Sequence, residues 1–258
     1  MNGGYYITLS GILAVERQLS AVTNNLANVN TAGYKSTNVN FAEFLSQKAI
    51  NANESGENKP LVDKAYPIVL NTYNNMSQGA LKKTGNRLDL AIKGSGYFVV
   101  STPTGVKYTR NGVFSLNQAG ELVTQEGYPV LSTFKKPIFL NERSSDVTIG
   151  GSGEISLTDP QTGNEMYSGT ILIANFKNPQ YLSKYGNTLF SETKSSGAPV
   201  ENKNPDILQG YIEESNVNEI KGMVRMINIS ETYNNMMQAL KSYSTVDNTA
   251  INTVGAAV

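Results

Sequence analysis

Carboxylates, lysines and tyrosines are the side chains that could do chemistry in this sequence, because it contains neither cysteine nor histidine. That composition excludes disulfides, Cys or Cys/His zinc sites, cysteine nucleophiles and Ser-His-Asp triads. Glu121, Glu126 and Glu154 could in principle supply the carboxylate pair of a glycosidase. Nothing in their spacing supports such a pair. We therefore expect no catalytic residue, no cofactor site and no metal site.

Three further polar motifs favour structural interpretations. Segment 93–98 contains Gly-x-Gly after a predicted strand, but Val99 stands where a dinucleotide loop needs its third glycine, and no helix is predicted next. Segment 159–164 has oxygen ligands without the spacing of a calcium loop, which favours a type I turn. Glu213 and Glu214 precede a predicted helix, where solvated acids interact favourably with the helix dipole.

Composition bounds the class of protein. The 258 residues are 39% hydrophobic, which allows a sizeable core and one or two domains. The 21 basic and 21 acidic residues balance, so we expect neither nucleic acid nor an anionic membrane surface as a partner. Only 16% of residues are charged, which suits a self-associating subunit and an ordinary neutral globular protein equally well.

The N-terminal segment lacks the pattern of a cleavable secretion signal. No lysine or arginine precedes Arg17, and polar residues and a glycine interrupt the apolar stretch 7–15. The sequence has no run of apolar residues long enough to span a membrane. A protein of this kind that leaves the cytoplasm would need another export signal.

Both ends of the chain carry apolar residues at helical spacing. The N-terminal seam steps by 3, 4, 3, 4 and 3 residues through Ile12, Val15, Leu19, Val22, Leu26 and Val29. The C-terminal end begins with Val217, Ile220, Val224 and Ile227. A second C-terminal stripe follows at Met226, Ile229, Tyr233, Met236, Leu240 and Tyr243. This repeat of 3.5 residues predicts two long helices paired as a coiled coil.

The ends of these helices also have sequence signals. The Asn- and Gly-containing segment 28–33 predicts the stop of the first helix. Asn216, followed by Glu219, predicts the N-cap of the second helix. A helix of about 30 residues reaches about 45 Å, so its stripe would be covered by the other helix, by neighbouring subunits, or by both. A simple two-helix hairpin packed on the middle domain remains an alternative.

The middle of the chain has a different pattern. Segment 35–75 is expected to be an extended linker that contains a polar loop at 51–60. Short alternating runs separated by Gly, Asn and Pro then predict an all-β domain over 76–210. The expected fold class is therefore α+β: paired terminal helices from 1–34 and 211–258, the linker, and a central domain of short strands.

Three blocks of sequence resemble a known family. Segment 23–35 reads TNNLANVNTAGYK and closely resembles the N-terminal motif of the bacterial flagellar rod and hook family of axial proteins. Segments 78–98, 108–112 and 120–124 are similar to the family's central β block, and segment 215–218 is similar to the start of its C-terminal helix. The signature residues are Asn24, Asn25, Leu26, Ala27, Asn28, Asn30, Thr31, Gly33 and Tyr34.

The resemblance implies a function that composition does not show. Members of this family pass through the flagellar type III export apparatus without a cleavable signal, and their terminal helices build the inner tube of the axial structure. We therefore expect a structural subunit of the periplasmic rod of the basal body, which carries torque from motor to hook. Its expected partners are copies of itself and other rod proteins. The seam residues given above, with Tyr233, Met236 and Leu240, are the expected assembly interface.

Three alternatives remain. The end of the chain around 243–247 favours a proximal-rod protein, whereas segments 186–193 and 196–199 resemble a distal-rod protein. A peptidoglycan-remodelling enzyme would need the scattered carboxylates to act together. A secreted adhesin with helical stalks would use the same two ends for a different purpose.

Overall fold

The computed structural model of the chain describes residues 3–45, 65–140, 146–158 and 165–255. Within these ranges there are two α helices, α1 (Gly3–Ala27) and α2 (Glu219–Gly255), and a one-turn 3-10 helix at Pro179–Tyr181. The predicted loop 51–60 and the predicted turn 159–164 lie outside the described residues. Neither described helix is sufficiently long and apolar to cross a membrane.

Short strands fill the rest of the described chain. In order they are β1 Thr37–Leu45, β2 Ala65–Asn74, β3 Leu81–Lys83, β4 Leu90–Ile92, β5 Tyr97–Thr102, β6 Gly105–Thr109, β7 Phe114–Leu116, β8 Leu122–Thr124, β9 Asp146–Ile149, β10 Glu154–Thr158, β11 Glu165–Thr170, β12 Ile173–Asn175, β13 Ser183–Tyr185, β14 Leu189–Ser191, β15 Val200–Glu201, β16 Ile207–Gln209 and β17 Tyr211–Glu213.

The chain divides into two compact units. The first unit comprises residues 1–26, 37–73 and 218–258, and the second comprises 27–36 and 74–217. In the first unit, β1 and β2 pair with each other inside the segment 35–75 that the sequence predicts to be an extended linker. The predicted domain boundaries at residues 34, 75 and 210 stay a prediction.

The second unit confirms the predicted domain of short strands. Its largest sheet has the order β13-β14-β6-β5-β12-β15, and a second sheet has the order β11-β10-β9. The pairs β16-β4, β17-β3 and β7-β8 complete the unit, and every pair is antiparallel. Apolar side chains from these strands form a core around Phe98 and Leu122, both of which are fully buried. The Gly-x-Gly segment is a bend between β4 and β5, and a strand follows it where a dinucleotide loop would need a helix.

The prediction that the terminal helices pair as a coiled coil is wrong. Ile220, Val224 and Ile227 on α2 are 76%, 53% and 57% exposed, so the first predicted C-terminal stripe is not covered by a helix of the same chain. Ile12 and Val22 on α1, by contrast, are each 6% exposed. Spacing of 3.5 residues identifies one apolar face of a helix, but it does not say which surface covers that face.

The predicted end of α1 is confirmed, but the predicted cap of α2 is wrong. α1 ends at Ala27, directly before the segment predicted to stop it. α2, however, is capped by Asn218 and not by Asn216, because the backbone N–H of Lys221 donates to Asn218 Oδ1 at 2.9 Å. That bond satisfies one of the donors that a helix N-terminus leaves unpaired. Asn216 lies in the second unit and has another role, described below.

Candidate functional site

The predicted assembly residues do not form one continuous seam. Among the predicted residues of the N-terminal segment, Val15, Leu19, Leu26 and Val29 are half-buried, in addition to the buried pair Ile12 and Val22. In the C-terminal segment, Val217, Tyr233, Met236 and Leu240 are half-buried. Within the first unit Leu26 Cδ1 lies 3.8 Å from the point that a Cβ atom on Gly222 would occupy. These residues stay a predicted interface.

The signature motif makes specific backbone contacts at its start. In the first unit the Asn25 side chain binds the backbone of Thr37 twice: its amide nitrogen donates to the carbonyl at 2.8 Å, and its oxygen accepts from the N–H at 2.9 Å. In the second unit Asn28 accepts from Thr31 through both its side chain and its carbonyl oxygen. The motif's asparagines therefore fix the turn that follows α1.

The end of the motif enters a group of buried charges in the second unit. We call Lys35, Arg110 and Glu213 the charge cluster. Lys35 Nζ lies 2.5 Å from Glu213 Oε1, and Arg110 Nη1 lies 3.2 Å from Glu213 Oε2. The side chains are 0%, 4% and 1% exposed for Lys35, Arg110 and Glu213. One carboxylate thus bridges two cations in the interior.

Backbone atoms satisfy most of the remaining hydrogen-bonding groups of the charge cluster. Lys35 donates to the carbonyl of Ser77 at 2.7 Å, and the N–H of Gly79 donates to Glu213 Oε1 at 2.8 Å. Arg110 donates to the carbonyls of Ile92 at 3.3 Å and Gly94 at 2.6 Å. The segments that precede β3 and follow β4 are therefore held to the cluster, as are β6 and β17.

The burial and pairing of the charges in the cluster indicate a structural role. Burial lowers the pKa of Lys35 from its usual value, and the nearby Glu213 carboxylate opposes that shift. Burial also raises the pKa of the adjacent Tyr97 to about 12. A buried lysine with a depressed pKa can act as a nucleophile where a substrate reaches it, but Lys35 is fully buried and bonded to Glu213. The arrangement fixes the chain and keeps the Lys35 amine away from solvent.

Gly33 and Tyr34 fit closely beside the cluster. Gly33 has φ +68°, and a Cβ atom there would collide with the backbone at Arg110 and Asn111. Its N–H donates to the carbonyl of Glu213 at 2.7 Å. The Tyr34 ring is buried, and Lys184 Nζ lies 4.1 Å from its centre. Only glycine combines this backbone conformation with such a close approach.

Asn216 ties the same region together from the C-terminal side. Its side-chain oxygen accepts from the N–H of Ser36 at 2.8 Å, and its amide nitrogen donates to the carbonyls of Asn75 at 2.8 Å and Ser77 at 3.0 Å. The residue predicted to cap α2 therefore joins segment 34–36 to segment 75–77.

Sequence analysis missed the charge cluster. The interpretation of Glu213 as a solvated acid is wrong, because that side chain is 1% exposed, whereas the side chain of the neighbouring Glu214 is 45% exposed and lies 3.4 Å from Lys82. A usable signal existed in the family blocks. Lys35 ends the first block and Arg110 stands inside the central one, in a chain with few charged residues.

Two of the three glutamates considered for catalysis, Glu121 and Glu154, have local partners. Asn117 donates to Glu121 at 2.7 Å, and Ser152 donates to Glu154. The carboxylates of Glu121 and Glu154 therefore each accept a hydrogen bond within their own turn, whereas Glu126 is exposed. Across the described ranges, no group of three or more Asp and Glu side chains is placed to hold a metal ion.

Comparison with known proteins gives the same family along the chain. Residues 6–35 match the model described as flagella basal body rod protein, 91–157 the flagellar hook protein FlgE/F/G D1 domain, and 208–253 the flagellar basal body rod FlgEFG protein C-terminal. The chain is 32% identical to flagellar basal-body rod proteins FlgF of Mesorhizobium japonicum and Rhizobium meliloti, over 99% of each chain. It is 33% identical to a FlgG of Buchnera aphidicola, over 88% of this chain and 90% of the other. The chain therefore belongs to the flagellar basal-body rod proteins, a family of structural subunits of the flagellum.

Proposed function

We propose that the chain is a subunit of the proximal part of the flagellar rod. Relatives named FlgF align along 99% of both chains, whereas relatives named FlgG align along 86–88% of this chain. Full-length correspondence favours the FlgF kind, which the family resemblance associates with the proximal rod. A distal-rod subunit is the second candidate, because the identity to FlgG proteins is as high as 34%. Immunolabelling of isolated basal bodies at two heights along the rod distinguishes the two positions.

The exposed apolar face of α2 supports assembly with neighbouring subunits. Ile220, Met223, Val224 and Ile227 are between 45% and 76% exposed, and they lie within two turns of one helix. Fully burying one such side chain contributes on the order of 2 kcal/mol. A face of this size is covered in a stable assembly, and its proposed partners are copies of this chain and other rod proteins. Together with the other predicted seam residues, it forms the proposed interface that transmits torque.

The family assignment also supports a proposal about delivery and location. We propose that the chain lies in the periplasmic rod and that the flagellar type III export apparatus delivers it there. A mechanical role is also supported by the site, because Lys35 and Glu213 are closed to solvent, and Glu121 and Glu154 accept hydrogen bonds within their own turns. We therefore propose that the chain is not an enzyme.

Substitution on the exposed face of α2 tests this proposal. Ile227→Asp places a charge on the apolar face, whereas the adjacent Asn228→Asp places the same side chain on an exposed polar position. We expect cells carrying Ile227→Asp to lose swimming in soft agar and to lack rods beyond the proximal position. Cells carrying Asn228→Asp should swim normally. Normal swimming with Ile227→Asp would show that this face is not an assembly interface.

A further inference from the structure

A pocket of about 370 Å3 opens beside the charge cluster in the second unit. Its polar side is formed by Ser95, Arg110 and Asn175, and its apolar side by Met76 and Phe176, among others. We call it the Arg110 pocket. Phe176 is held in place because its ring packs edge-on against two buried tyrosine rings, at 5.8 Å and 4.8 Å between centres. The pocket is therefore built from ordered core residues and short bends.

The Arg110 pocket has an excess of positive charge. The charge cluster behind it contains two cations and one carboxylate, and no acidic side chain lines the pocket. Within the described ranges, Arg110 Nε is buried without a hydrogen-bond partner. Ser95 and Asn175 likewise form no side-chain hydrogen bond to the described part of the chain. Such a site attracts a carboxylate, and its apolar side can pack against an apolar side chain that lies next to that carboxylate.

A surface with the matching chemistry lies elsewhere on the same unit. Residues 165–167 begin β11, which is an edge strand of its sheet. We call these residues the acidic edge, because they start with Glu165. Glu165 is exposed, and Met166 and Tyr167 are 68% and 61% exposed. Outer strands of this kind offer unpaired backbone groups as well as side chains to a second molecule. One carboxylate followed by two large apolar side chains is the complement of the pocket.

The two surfaces are at opposite ends of one run of extended chain. Strands β11 and β12 follow each other with only residues 171 and 172 between them, so residues 165 and 175 are separated by up to about 30 Å. Glu165 pairs with Thr158 in one sheet and Asn175 pairs with Val200 in another, so the paired strands hold the two surfaces apart within one molecule. These surfaces produce a head-to-tail contact, which repeats into a ring or an open helix.

We propose that the Arg110 pocket receives the acidic edge of a neighbouring copy of this chain. Glu165 of one copy lies beside Arg110 and Ser95 of the next, and Met166 covers the apolar side of the pocket. This inference rests on the proposed function, because it adds a contact between β-rich units to an assembly whose other contacts use the helices. A head-to-tail contact of this kind has the symmetry that a helical rod requires.

Cysteine cross-linking tests the contact, since the natural chain has no cysteine to interfere. Cells lacking the natural chain co-express one copy with Ser95→Cys and one with Met166→Cys, and their basal bodies are isolated and oxidised. We expect a disulfide-linked dimer of the two copies. The control replaces Met166→Cys by Val106→Cys, which puts a thiol on another exposed strand position of the same unit. That pair should give at least about tenfold less dimer.

Motility separates the failure of this contact from the failure of the proposed function. Swimming cells that yield no more dimer than the control would overturn the contact and leave the rod assignment intact. If Ser95→Cys folds poorly, a second pair, Asn175→Cys with Met166→Cys, tests the same contact through its yield of disulfide-linked dimer. With the first pair, adding Glu165→Lys should lower the dimer yield on the order of tenfold, because a like charge then faces Arg110. Adding Glu126→Lys, an equal charge change at another exposed position, should leave the yield unchanged. Equal yields for the two lysine variants would also overturn the proposal.

Discussion

Replacing Glu213 by glutamine should destabilise the second unit strongly, because it removes the carboxylate that two buried cations share. Lys35 and Arg110 would stay in the interior without a counter-ion, at 0% and 4% exposure. Breaking a buried ion pair by removing one partner typically costs about 3–5 kcal/mol. At 2–4 °C for each kcal/mol in a chain of this size, the midpoint of thermal unfolding should fall by about 10 °C.

Two comparison variants make the prediction specific. Glu214→Gln is the matched control, since Glu214 and its partner Lys82 have side chains that are 45% and 63% exposed. It should change the free energy of unfolding by less than about 1 kcal/mol. Lys35→Met should cost less than Glu213→Gln, because it leaves one cation and one carboxylate still paired at 3.2 Å.

Urea unfolding of the full chain at pH 7 measures these differences. The chain has 14 tyrosines and no tryptophan, and the buried tyrosines Tyr34, Tyr97 and Tyr108 all lie in the second unit, so the near-ultraviolet circular dichroism of their packed rings follows the β-rich unit, while the far-ultraviolet signal follows the helices. We expect the near-ultraviolet transition of Glu213→Gln to move to lower urea. The reasoning is refuted if Glu213→Gln matches Glu214→Gln, or if Lys35→Met is the more destabilising of the two cluster variants.

Two further outcomes can be measured in the same assay. Gly33→Ala should lower the free energy of unfolding by at least about 2 kcal/mol, because Gly33 has φ +68° and a Cβ atom there would collide with the backbone. Gly85→Ala should lower it by only about 1 kcal/mol, because Gly85 has φ +76° but open space around it. Equal losses for the two variants would contradict the close approach at Gly33. Burial lowers the pKa of Lys184 to about 8, below its unfolded value of 10.5, so the unfolded state binds more protons between these two values. The free energy of unfolding should therefore rise from pH 8 to 10, and it should rise less steeply in Lys184→Met. Tyr97 and Tyr108, whose pKa values burial raises to about 12, begin to oppose this rise above pH 10.

Local sequence patterns predicted the helices and the strands of the β-rich unit. The partner of each apolar face and the cap of α2 depend on long-range contacts, which these patterns do not contain. The strands of the β-rich unit and the stop after α1 follow from spacing and from Gly and Asn positions, which are local properties. The prediction of a coiled coil was wrong because an apolar stripe such as Ile220 to Ile227 identifies one face of a helix but does not identify the surface that covers it. The cap of α2 shifted by two residues because Asn216 is engaged by backbone segments far away in sequence.

The charge cluster shows why the site itself was beyond local reasoning. A lone glutamate before a helix is usually solvated, and nothing near Glu213 in sequence indicates otherwise. Its burial depends on Lys35 and Arg110, which lie 178 and 103 residues away along the chain. Only the packed arrangement of three distant segments turns these charges into partners.

The cluster also explains how the family blocks act together. Lys35 comes from the N-terminal signature, Arg110 from the central block, and Glu213 lies directly before the C-terminal block. Buried ion pairs often contribute no more stability than apolar side chains of the same volume, but an unpaired charge in the interior is strongly unfavourable. Apolar contacts can therefore hold these segments together in several ways, whereas one carboxylate between two cations permits few. We infer that the cluster selects which three segments of the second unit meet: the one after α1, the one after β6, and the one before α2.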